Sequence, residues 1–376
     1  MASSAPSNAA QPGVPPESVC VIRLSAIGDC CHALAVIRSI QSAWPNTHIT
    51  WIIGHTEFAL MKGIDGVEFI TFDKSKGWRG LLDLRRRMAG RCFPVMLHMH
   101  ASMRANLVSR MITADRRIGF DRTRARDYQW LFSNERIPPA REQHVLDGMF
   151  SFIEHLGLTG NTLSERNLHW DIPIPAADRQ FAREICAPPG PICVISPCSS
   201  QRLRNFRNWS VERYTALVNT LHDEYAARIV LTGGPTDTER DYGRRIESGA
   251  NTPVHNLIGR TSLKQLLAIL ARADLLICPD SGPAHMATAV GTPVVGLYAT
   301  SNRHRTGPYL SQHLVADRYP DAVRREFGKA VNAVGWGQRI RDPDAMNLIT
   351  LQDVQQKVSL ALKSGPRVRS PVPDPA

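Results

Sequence analysis

The chain has 376 residues, of which 43% are hydrophobic and 21% are charged, and its formal net charge is +11. That length exceeds what one hydrophobic core usually supports, so two domains are expected. No apolar run approaches the roughly 20 residues that span a bilayer, and the Ala-, Ser- and Pro-rich residues 1–17 lack the basic and apolar regions of a signal peptide. We therefore expect a cytoplasmic protein with a disordered N-terminal tail.

The first half of the chain alternates short apolar runs with segments of helical periodicity. Strands are expected over residues 19–24, 48–53, 67–72 and 94–99, and one of the helices over residues 105–112. Ala33, Ile37 and Ile40 define an earlier helix, which ends at Trp44-Pro45 because proline cannot continue it. This alternation favours a parallel sheet covered by helices on both faces.

The same pattern restarts in the second half, after proline-rich stretches at residues 172–175 and 188–191. The expected strands and helices are, in chain order, a strand over 192–196, a helix over 210–225, strands over 228–232 and 275–278, a helix over 283–290 and a strand over 294–298. Thr350-Leu-Gln-Asp353 resembles a capping box that opens a final helix.

Two successive α/β units of similar size predict two Rossmann-like domains that face each other across a cleft. The predicted boundaries are an N-terminal domain over residues 18–172, a linker over 173–191, a C-terminal domain over 192–349, a closing helix over 350–363 and a disordered tail over 364–376.

The strongest chemical signal is Cys278-Pro-Asp-Ser-Gly-Pro-Ala-His285, where small residues lead from a buried strand into a helix. Pro283 suits the first turn of that helix. Backbone N–H groups and the helix dipole make such a terminus an anion site, to which Ser281 and His285 can add donors. A purely structural cap by Asp280 or Ser281 is the alternative.

A second polar segment follows the first strand of the second half. It offers the hydroxyls of Ser199 and Ser200 and three guanidinium groups, from Arg202, Arg204 and Arg207. Open α/β sheets bind ligands at the carboxyl ends of their strands, and the planar fork of arginine suits a diphosphate. A solvated basic loop is the alternative.

A third segment, Arg23-Leu-Ser-Ala-Ile-Gly-Asp-Cys-Cys-His32, joins the first strand to the first helix. Gly28 permits a tight turn, and Asp29 stands where the loop meets the helix. Asp29 is either a helix N-cap or a carboxylate that takes a proton from an acceptor hydroxyl, with His32 one turn further on to orient it.

Positive charge is concentrated over residues 79–126, which contain about a dozen arginines and about three acidic residues. Nucleic acid is disfavoured as the partner, because no aromatic residues interleave the arginines and no nucleic-acid-binding signature is present. An anionic membrane surface or an anionic glycolipid fits the charge. A solvated basic face is the third interpretation.

Other sites are weakly indicated or absent. The chain has no GxGxxG motif, no P-loop and no CxxC pair, so neither a cofactor nor a redox dithiol is expected. Asp342-Pro-Asp344 resembles a DxD metal motif but favours a turn. His98 and His100 lie on one face of a predicted strand, yet no third ligand stands at recognisable spacing, so we expect no metal.

At these residues the chain resembles the family 9 glycosyltransferases, the ADP-heptose:lipopolysaccharide heptosyltransferases, over most of residues 18–363. The resemblance rests on S-x-x-G-D-x-x-H at Ser25 to His32, on a basic residue two before a tryptophan at Arg207 and Trp209, and on D-[ST]-G-x-x-H at Asp280 to His285. It implies a GT-B fold, inversion at the anomeric carbon, no metal, and Asp29 as general base.

The resemblance also implies the ligand contacts. The implied donor-binding residues are Ser199, Ser200, Arg207, Asp237, Thr261, Asp280, Ser281, Gly282 and His285. The implied acceptor contacts are Ser25, His32, His100 and Arg104. Two departures stand out: Arg207 replaces the lysine of many members, and Leu97-His-Met-His100 replaces a D-x-Q-like pattern on the acceptor side.

The implied reaction moves heptose from ADP-L-glycero-D-manno-heptose to the lipopolysaccharide inner core, on Kdo or the first heptose. The implied location is the cytoplasmic face of the inner membrane, with peripheral membrane contact and no nucleic-acid partner. The alternatives are a GT-B transferase or an epimerase that uses another nucleotide sugar, and a non-catalytic nucleotide-sugar-binding protein.

Overall fold

The computed structural model describes residues 14–158, 168–187, 190–200 and 206–363, and the chain divides into two compact units after Pro173. Arg202, Arg204, the tail predicted over residues 364–376 and most of the tail predicted over residues 1–17 lie outside the described residues.

Unit 1 is a six-stranded parallel sheet with helices between its strands. Its elements are β1 (Ser18–Ile22), α1 (Ile27–Ala43), β2 (His48–Gly54), α2 (His55–Met61), β3 (Val67–Phe72), α3 (Gly77–Arg87), β4 (Cys92–His98), α4 (Met103–Ser109), β5 (Thr113–Gly119), β6 (Glu135–Arg136) and α5 (Val145–His155). The strand order is β3-β2-β1-β4-β5-β6, and every pairing is parallel.

Unit 2 repeats this architecture. Its elements are α6 (Ala176–Ile185), β7 (Ile192–Ile195), α7 (Val211–Tyr225), β8 (Arg228–Leu231), α8 (Asp237–Gly249), β9 (Val254–Asn256), α9 (Leu263–Arg272), β10 (Leu275–Pro279), α10 (Gly282–Ala289), β11 (Val294–Tyr298), α11 (Arg303–Thr306), β12 (Ala316–Asp317), α12 (Tyr319–Phe327) and α13 (Leu351–Lys363). The order β12-β11-β10-β7-β8-β9 is again parallel throughout and is that of a Rossmann sheet.

The expected α/β class with two Rossmann-like sheets is confirmed. The predicted strands over residues 67–72 and 294–298 have the bounds of β3 and β11, and α1 ends at Ala43, beside its C-cap Trp44. The Thr350 capping box is also present, since the Thr350 N–H donates to the Asp353 carboxylate at 2.9 Å and the Asp353 N–H donates to the Thr350 hydroxyl at 3.1 Å. The helix α6, inside the predicted linker, packs against α9.

A buried tryptophan in each core fixes a loop at the carboxyl edge of its sheet. Trp51 in β2 donates its indole N–H to the Arg23 carbonyl at 3.1 Å. Gly54 donates to the Leu24 carbonyl at 2.9 Å, and a Cβ at Gly54 would collide with that oxygen. In unit 2, Trp209 is fully buried and donates to the Ile349 carbonyl at 3.0 Å. The loops that carry the predicted site residues are thereby attached to the cores.

Within the described residues, none of the helices combines the length and the apolar character that crossing a membrane requires. The eight cysteines are all unpaired thiols, and seven of them are buried, as expected. The exposed one is Cys92, at the start of β4.

Candidate functional site

The site residues of unit 1 gather where the chain direction through the sheet reverses. The strands β1 and β4 are neighbours, with Ile22 opposite His98, but the chain continues from β1 to β2 on one side and from β4 to β5 on the other. Such a switch point leaves a crevice at the carboxyl ends of the strands, which is where open α/β sheets bind ligands. The loops that begin at Arg23 and Met99 border it.

Asp29 is ion-paired with Arg23 at this crevice. Arg23 is buried and also donates to the Met99 carbonyl at 2.6 Å, so one guanidinium connects the ends of β1 and β4. The Ala26 N–H donates to Oδ2 of Asp29 at 3.2 Å. The idea that Asp29 is the N-cap of α1 is wrong, because Ala26 is the N-cap and Asp29 lies in the third helical position. Its carboxylate is therefore held from two sides.

The three histidines singled out from the sequence, His32, His98 and His100, are all buried or partly buried in unit 1. His100 accepts the Leu24 N–H at Nδ1, 3.2 Å away, so its proton resides on Nε2. Burial, reinforced by the charge of Arg23, lowers the pKa of His100 to about 3. Burial likewise lowers the pKa of His98, the last residue of β4, to about 3. His32 is buried edge-on against the ring of His144, at 5.6 Å between centroids.

Two further predicted acceptor contacts lie at this edge. Ser25 is half-buried in the loop between β1 and α1. Arg104 is exposed in the first turn of α4, and its charge contributes to lowering the pKa of His100, after burial and Arg23. The structure thus brings Asp29, His100 and Arg104 to one end of the sheet.

Glu57 is a carboxylate that the motifs did not reveal. It lies in the first turn of α2, directly after β2, and interacts electrostatically with Arg23 and Asp29. Burial raises the pKa of the Glu57 carboxyl. A hydrogen bond from its own backbone N–H and the nearby positive charges lower that pKa, but the effect of burial is larger. A signal existed in the sequence, because Glu57 follows a strand and therefore belongs to the same edge as Asp29.

In unit 2 the switch point falls between β7 and β10, and α10 begins there. Gly282 is its first residue, Pro283 lies in its first turn as predicted, and Ser281 is its N-cap residue. The Ser281 hydroxyl donates to the Pro279 carbonyl at 3.0 Å and makes no capping hydrogen bond. His285 is buried in the first turns of the helix. A helix start of this kind favours an anion.

Asp280 organises the charge beside that helix start. The residue is 6% exposed, and its Oδ2 lies 3.4 Å from Nη1 of Arg207 and 3.1 Å from Nη1 of Arg339. Ser301 donates to the same oxygen at 2.8 Å. Burial alone would raise the pKa of Asp280, but the two arginines and Ser301 outweigh it, so that its pKa lies below the usual value.

One carboxylate is thus shared by two guanidinium groups, which lie beside the start of α10. Arg207 also donates to the Asp280 carbonyl at 2.9 Å. Arg339 and Ser301 were missed from the sequence, because they lie 59 and 21 residues from Asp280 along the chain and no motif marks them.

Asn208, next to Arg207, is hydrogen-bonded to the segment that carries the predicted serines. The Ser199 N–H donates to the side chain of Asn208 at 2.9 Å, and Ser199 is buried whereas Ser200 is exposed. The next residue, Trp209, stands edge-on to Tyr214 in the core, at 5.2 Å between centroids. The tryptophan of the motif thus anchors the arginine.

Asp237 and Thr261 lie in the loops after the neighbouring strands. Asp237 is the exposed first residue of α8, after β8, and Thr261 is half-buried before α9, after β9. These loops are joined, since the Gly259 N–H donates to the Gly233 carbonyl at 2.9 Å. Glu239 holds the first of them by accepting the Gly234 N–H at 2.7 Å. Both predicted residues therefore follow strands that end at the edge where α10 begins.

The Asp342-Pro-Asp344 segment is a turn, as predicted. Asp344 donates its N–H to the Asp342 side chain at 2.9 Å and precedes a 3-10 helix over Ala345–Leu348. Arg325 pairs with Asp342 at 3.1 Å. Among the residues that the structure describes, no group of three or more His, Cys, Asp or Glu side chains is arranged to hold a metal ion.

Two Rossmann-type units, each built on a parallel six-stranded sheet, have the architecture of a glycosyltransferase of the GT-B class. A family 9 glycosyltransferase from Veillonella parvula has the same fold, with a TM-score of 0.75 and 22% identity, over 93% of this chain and 98% of that one. The E. coli heptosyltransferase WaaC, solved with ADP, gives a TM-score of 0.70 and 18% identity over 92% and 99%.

Sequence comparisons identify the family. Residues 81–326 match glycosyltransferase family 9 (heptosyltransferase). The lipopolysaccharide core heptosyltransferase OpsX of Haemophilus influenzae is 37% identical over 339 residues, which cover 90% of this chain and 95% of that protein. The chain belongs to glycosyltransferase family 9.

The buried His98 predicts that the stability of the protein falls in mild acid. In the unfolded chain this imidazole gains a proton near pH 6.5, whereas in the folded chain it stays neutral down to about pH 3. Between these values the unfolded state binds the additional proton, so the free energy of unfolding decreases as the pH is lowered, by at most about 1.4 kcal/mol per pH unit.

Denaturant unfolding of the His98→Gln variant between pH 7 and about pH 5 tests this. We expect a shallower pH dependence than that of the parent protein, with the contribution of His100 remaining. His48→Gln is the matched control, because His48 is exposed in the folded chain. An unchanged slope in His98→Gln would show that the pKa of His98 is the same in the folded and unfolded states, and would contradict the prediction.

Proposed function

We propose that this chain is an inverting, metal-independent transferase that moves heptose from ADP-L-glycero-D-manno-heptose to the inner core of lipopolysaccharide. The observation that carries the proposal is the positive charge beside α10, where Arg207 and Arg339 share the carboxylate of Asp280. A helix start with adjacent arginines suits the diphosphate of a nucleotide sugar. Membership of the heptosyltransferase family supports heptose as the sugar.

The donor binds to unit 2 in this proposal. Two structures of one relative support ADP-heptose, since E. coli WaaC was solved with ADP and with ADP-2-deoxy-2-fluoro heptose. The diphosphate contacts Arg207 and the start of α10 at Ser281 and Gly282, where backbone N–H groups meet an anion. The other proposed donor contacts are Ser199, Ser200 and His285 at the diphosphate, Asp237 at the ribose and Thr261 at the adenine. Asp280 acts through the arginines that it holds.

Asp29 is the general base. As the acceptor hydroxyl attacks the anomeric carbon, a new C–O bond forms, the bond to the diphosphate breaks, and the hydroxyl proton passes to the Asp29 carboxylate. A single displacement of this kind inverts the anomeric carbon. Arg23 and the Ala26 N–H together fix Oδ2 of this carboxylate.

The departing ADP needs positive charge, and unit 2 supplies it without a metal. In this proposal, Arg207, Arg339 and the α10 dipole lie beside the place where negative charge grows on the leaving oxygen. Fixed donors of this kind typically lower a barrier by a few kcal/mol each. The carboxylates of a DxD motif are not required, and Asp342 is occupied by Arg325.

The acceptor is an anionic sugar of the inner core, Kdo or the first heptose, and it binds to unit 1. Arg104, His100, Ser25 and His32 are the proposed contacts, and the relative from H. influenzae supports the lipopolysaccharide core as the substrate. Because that acceptor is carried on a lipid, the chain works at the cytoplasmic face of the inner membrane. The partner of the basic residues is then this surface and this acceptor, and nucleic acid is not a partner.

Replacing Asp29 tests the catalytic part of the proposal. Asp29→Ala should lower heptose transfer by at least about 10²-fold, the usual contribution of a positioned base, while ADP binding measured by calorimetry stays unchanged. Asp65→Asn, an exposed carboxylate of the same unit, is the control and should retain full transfer. Transfer within about tenfold of the parent would be too fast for an enzyme that has lost its general base.

Chelation tests metal independence. Turnover in EDTA should equal turnover without it, because the arginines and the helix start provide the charge. Arg207→Met should weaken ADP binding in the same buffer, which confirms that the cation in use belongs to the protein. Inactivation by EDTA that magnesium or manganese reverses would instead make Asp342 and Asp344 the candidates for metal ligands.

The acceptor site is tested at Arg104. Arg104→Ala should raise the KM for the acceptor and reduce its dependence on salt, because screening acts on the charge that is now missing, and the KM for the donor should remain constant. Arg324→Ala removes an exposed arginine of unit 2 and serves as the control. A rise in the donor KM alone would move Arg104 to the donor side of the reaction.

A further inference from the structure

Unit 1 exposes a group of large apolar side chains beside its basic residues. Trp78 and Leu82 on α3 are 67% and 39% exposed, and Met103 and Leu107 on α4 are both 42% exposed. Tyr128 and Leu131, in or beside the 3-10 helix Gln129–Leu131, are 60% and 70% exposed. We call these six residues the apolar-basic face. Single exposed apolar residues are common, but six from adjacent elements indicate an interaction surface.

The two helices display these residues on the same side of the sheet. The helices α3 and α4 pack against each other. Leu84 of α3 and Val108 of α4 belong to one buried cluster on the sheet, so these helices cover the same sheet face. Trp78 and Leu82 are four residues apart, as are Met103 and Leu107, so each pair forms a stripe on the outward side of its helix.

The turn that carries Tyr128 and Leu131 is held beside α4. Asp127 accepts the Met103 N–H at 2.9 Å with its carboxylate, and its carbonyl accepts the Asn106 side-chain N–H at 2.6 Å. Gln129 is fully buried and donates to the His98 carbonyl at 2.8 Å. These hydrogen bonds fix the turn, so Tyr128 and Leu131 are exposed while their backbone is held in place.

The arginines of residues 79–126 divide into two groups. One group works inside the unit: Arg91 pairs with Glu68, Arg116 pairs with Glu135, and Arg117 donates to backbone carbonyls. A second group is exposed on or near the elements of the apolar-basic face, namely Arg79, Arg85, Arg110, Arg122 and Arg126, with Lys74 and Lys76 before α3. The carboxylates nearby are already engaged, since Asp83 pairs with Arg86 and Asp127 accepts the Met103 N–H.

We propose that the apolar-basic face docks onto the surface of an anionic phospholipid bilayer. Indole and phenol rings with short aliphatic stripes suit the boundary between headgroups and acyl chains, and surrounding arginines and lysines attract acidic headgroups. A second protein would be expected to offer acidic groups in register, whereas a lipid surface accepts any lateral arrangement of positive charge. The proposal rests on the proposed function in one respect, because a lipid-borne acceptor requires the enzyme to reach the membrane.

Binding to vesicles tests the face without donor or acceptor. The full chain should cosediment with vesicles of phosphatidylglycerol and phosphatidylcholine, bind poorly to phosphatidylcholine alone, and dissociate as salt is raised. The double variant Trp78→Ser/Leu131→Ser should bind the anionic vesicles at least about tenfold more weakly, because each side chain loses apolar area that would enter the interface. Leu310→Ser/Leu360→Ser removes two residues of unit 2 that are about half exposed, and this control should bind like the parent.

Transfer assays separate this proposal from the proposed function. With a lipid-free inner-core acceptor, the Trp78→Ser/Leu131→Ser variant should keep the kcat/KM of the parent, and with the acceptor embedded in anionic vesicles it should lose activity. If the double variant binds anionic vesicles as well as the parent does, the proposed membrane-docking face is wrong. It is also wrong if the parent binds neutral and anionic vesicles equally. Self-association abolished by the double variant, without vesicle binding, would identify a second copy as the occupant and also overturn it. Vesicle binding by a chain that transfers no heptose would uphold the face and refute the proposed function.

Discussion

Every strand pairing in both sheets is parallel, and the position of each functional residue depends on this constraint. Parallel strands need crossovers that return the chain to the opposite edge, so all segments that leave the strands do so at one edge of the sheet. At the centre of each sheet, successive crossovers diverge to opposite sides and leave room for a ligand between the loops. Residues distant in the chain, such as Arg23 and Met99, become neighbours for this reason.

The same constraint explains which strands could be predicted from the sequence. A central strand of a parallel sheet is covered on both faces and forms a continuous apolar run, as in β10 and β11. The strands nearer the edges do not. In β5 the central residues are Asp115, Arg116 and Arg117, whose arginines bond to partners beside the sheet, and β12 has only two residues. Strands that are charged or very short, such as β5 and β12, show no apolar periodicity and so cannot be predicted from it.

The loops that bear the site were predictable, but the partners that shape it mostly were not. Asp29, Arg207 and Ser281 each follow a strand closely, so the rule for parallel sheets places them at the functional edge. Arg23 carried a signal as well, since an arginine that ends an apolar strand needs a buried partner. Arg339 carried no such signal in the sequence. It reaches Asp280 from a segment of irregular structure whose path no local pattern describes, and only the folded chain reveals the contact.

Both sites contain a carboxylate paired with arginine, but the charge balance differs. Burying an ion pair seldom stabilises a fold by itself, because the loss of hydration offsets much of the attraction. At Asp29 one guanidinium holds the carboxylate in place, and the carboxyl group of Glu57 lies close enough to interact with both. At Asp280 two guanidinium groups share one carboxylate beside the start of α10. In the proposed reaction, a carboxylate held in this way suits the removal of a proton from an uncharged hydroxyl. A positive site suits a diphosphate whose negative charge grows as it leaves. In the proposed reaction the same pair of residue types therefore has two different roles, and the number of arginines around each aspartate distinguishes them.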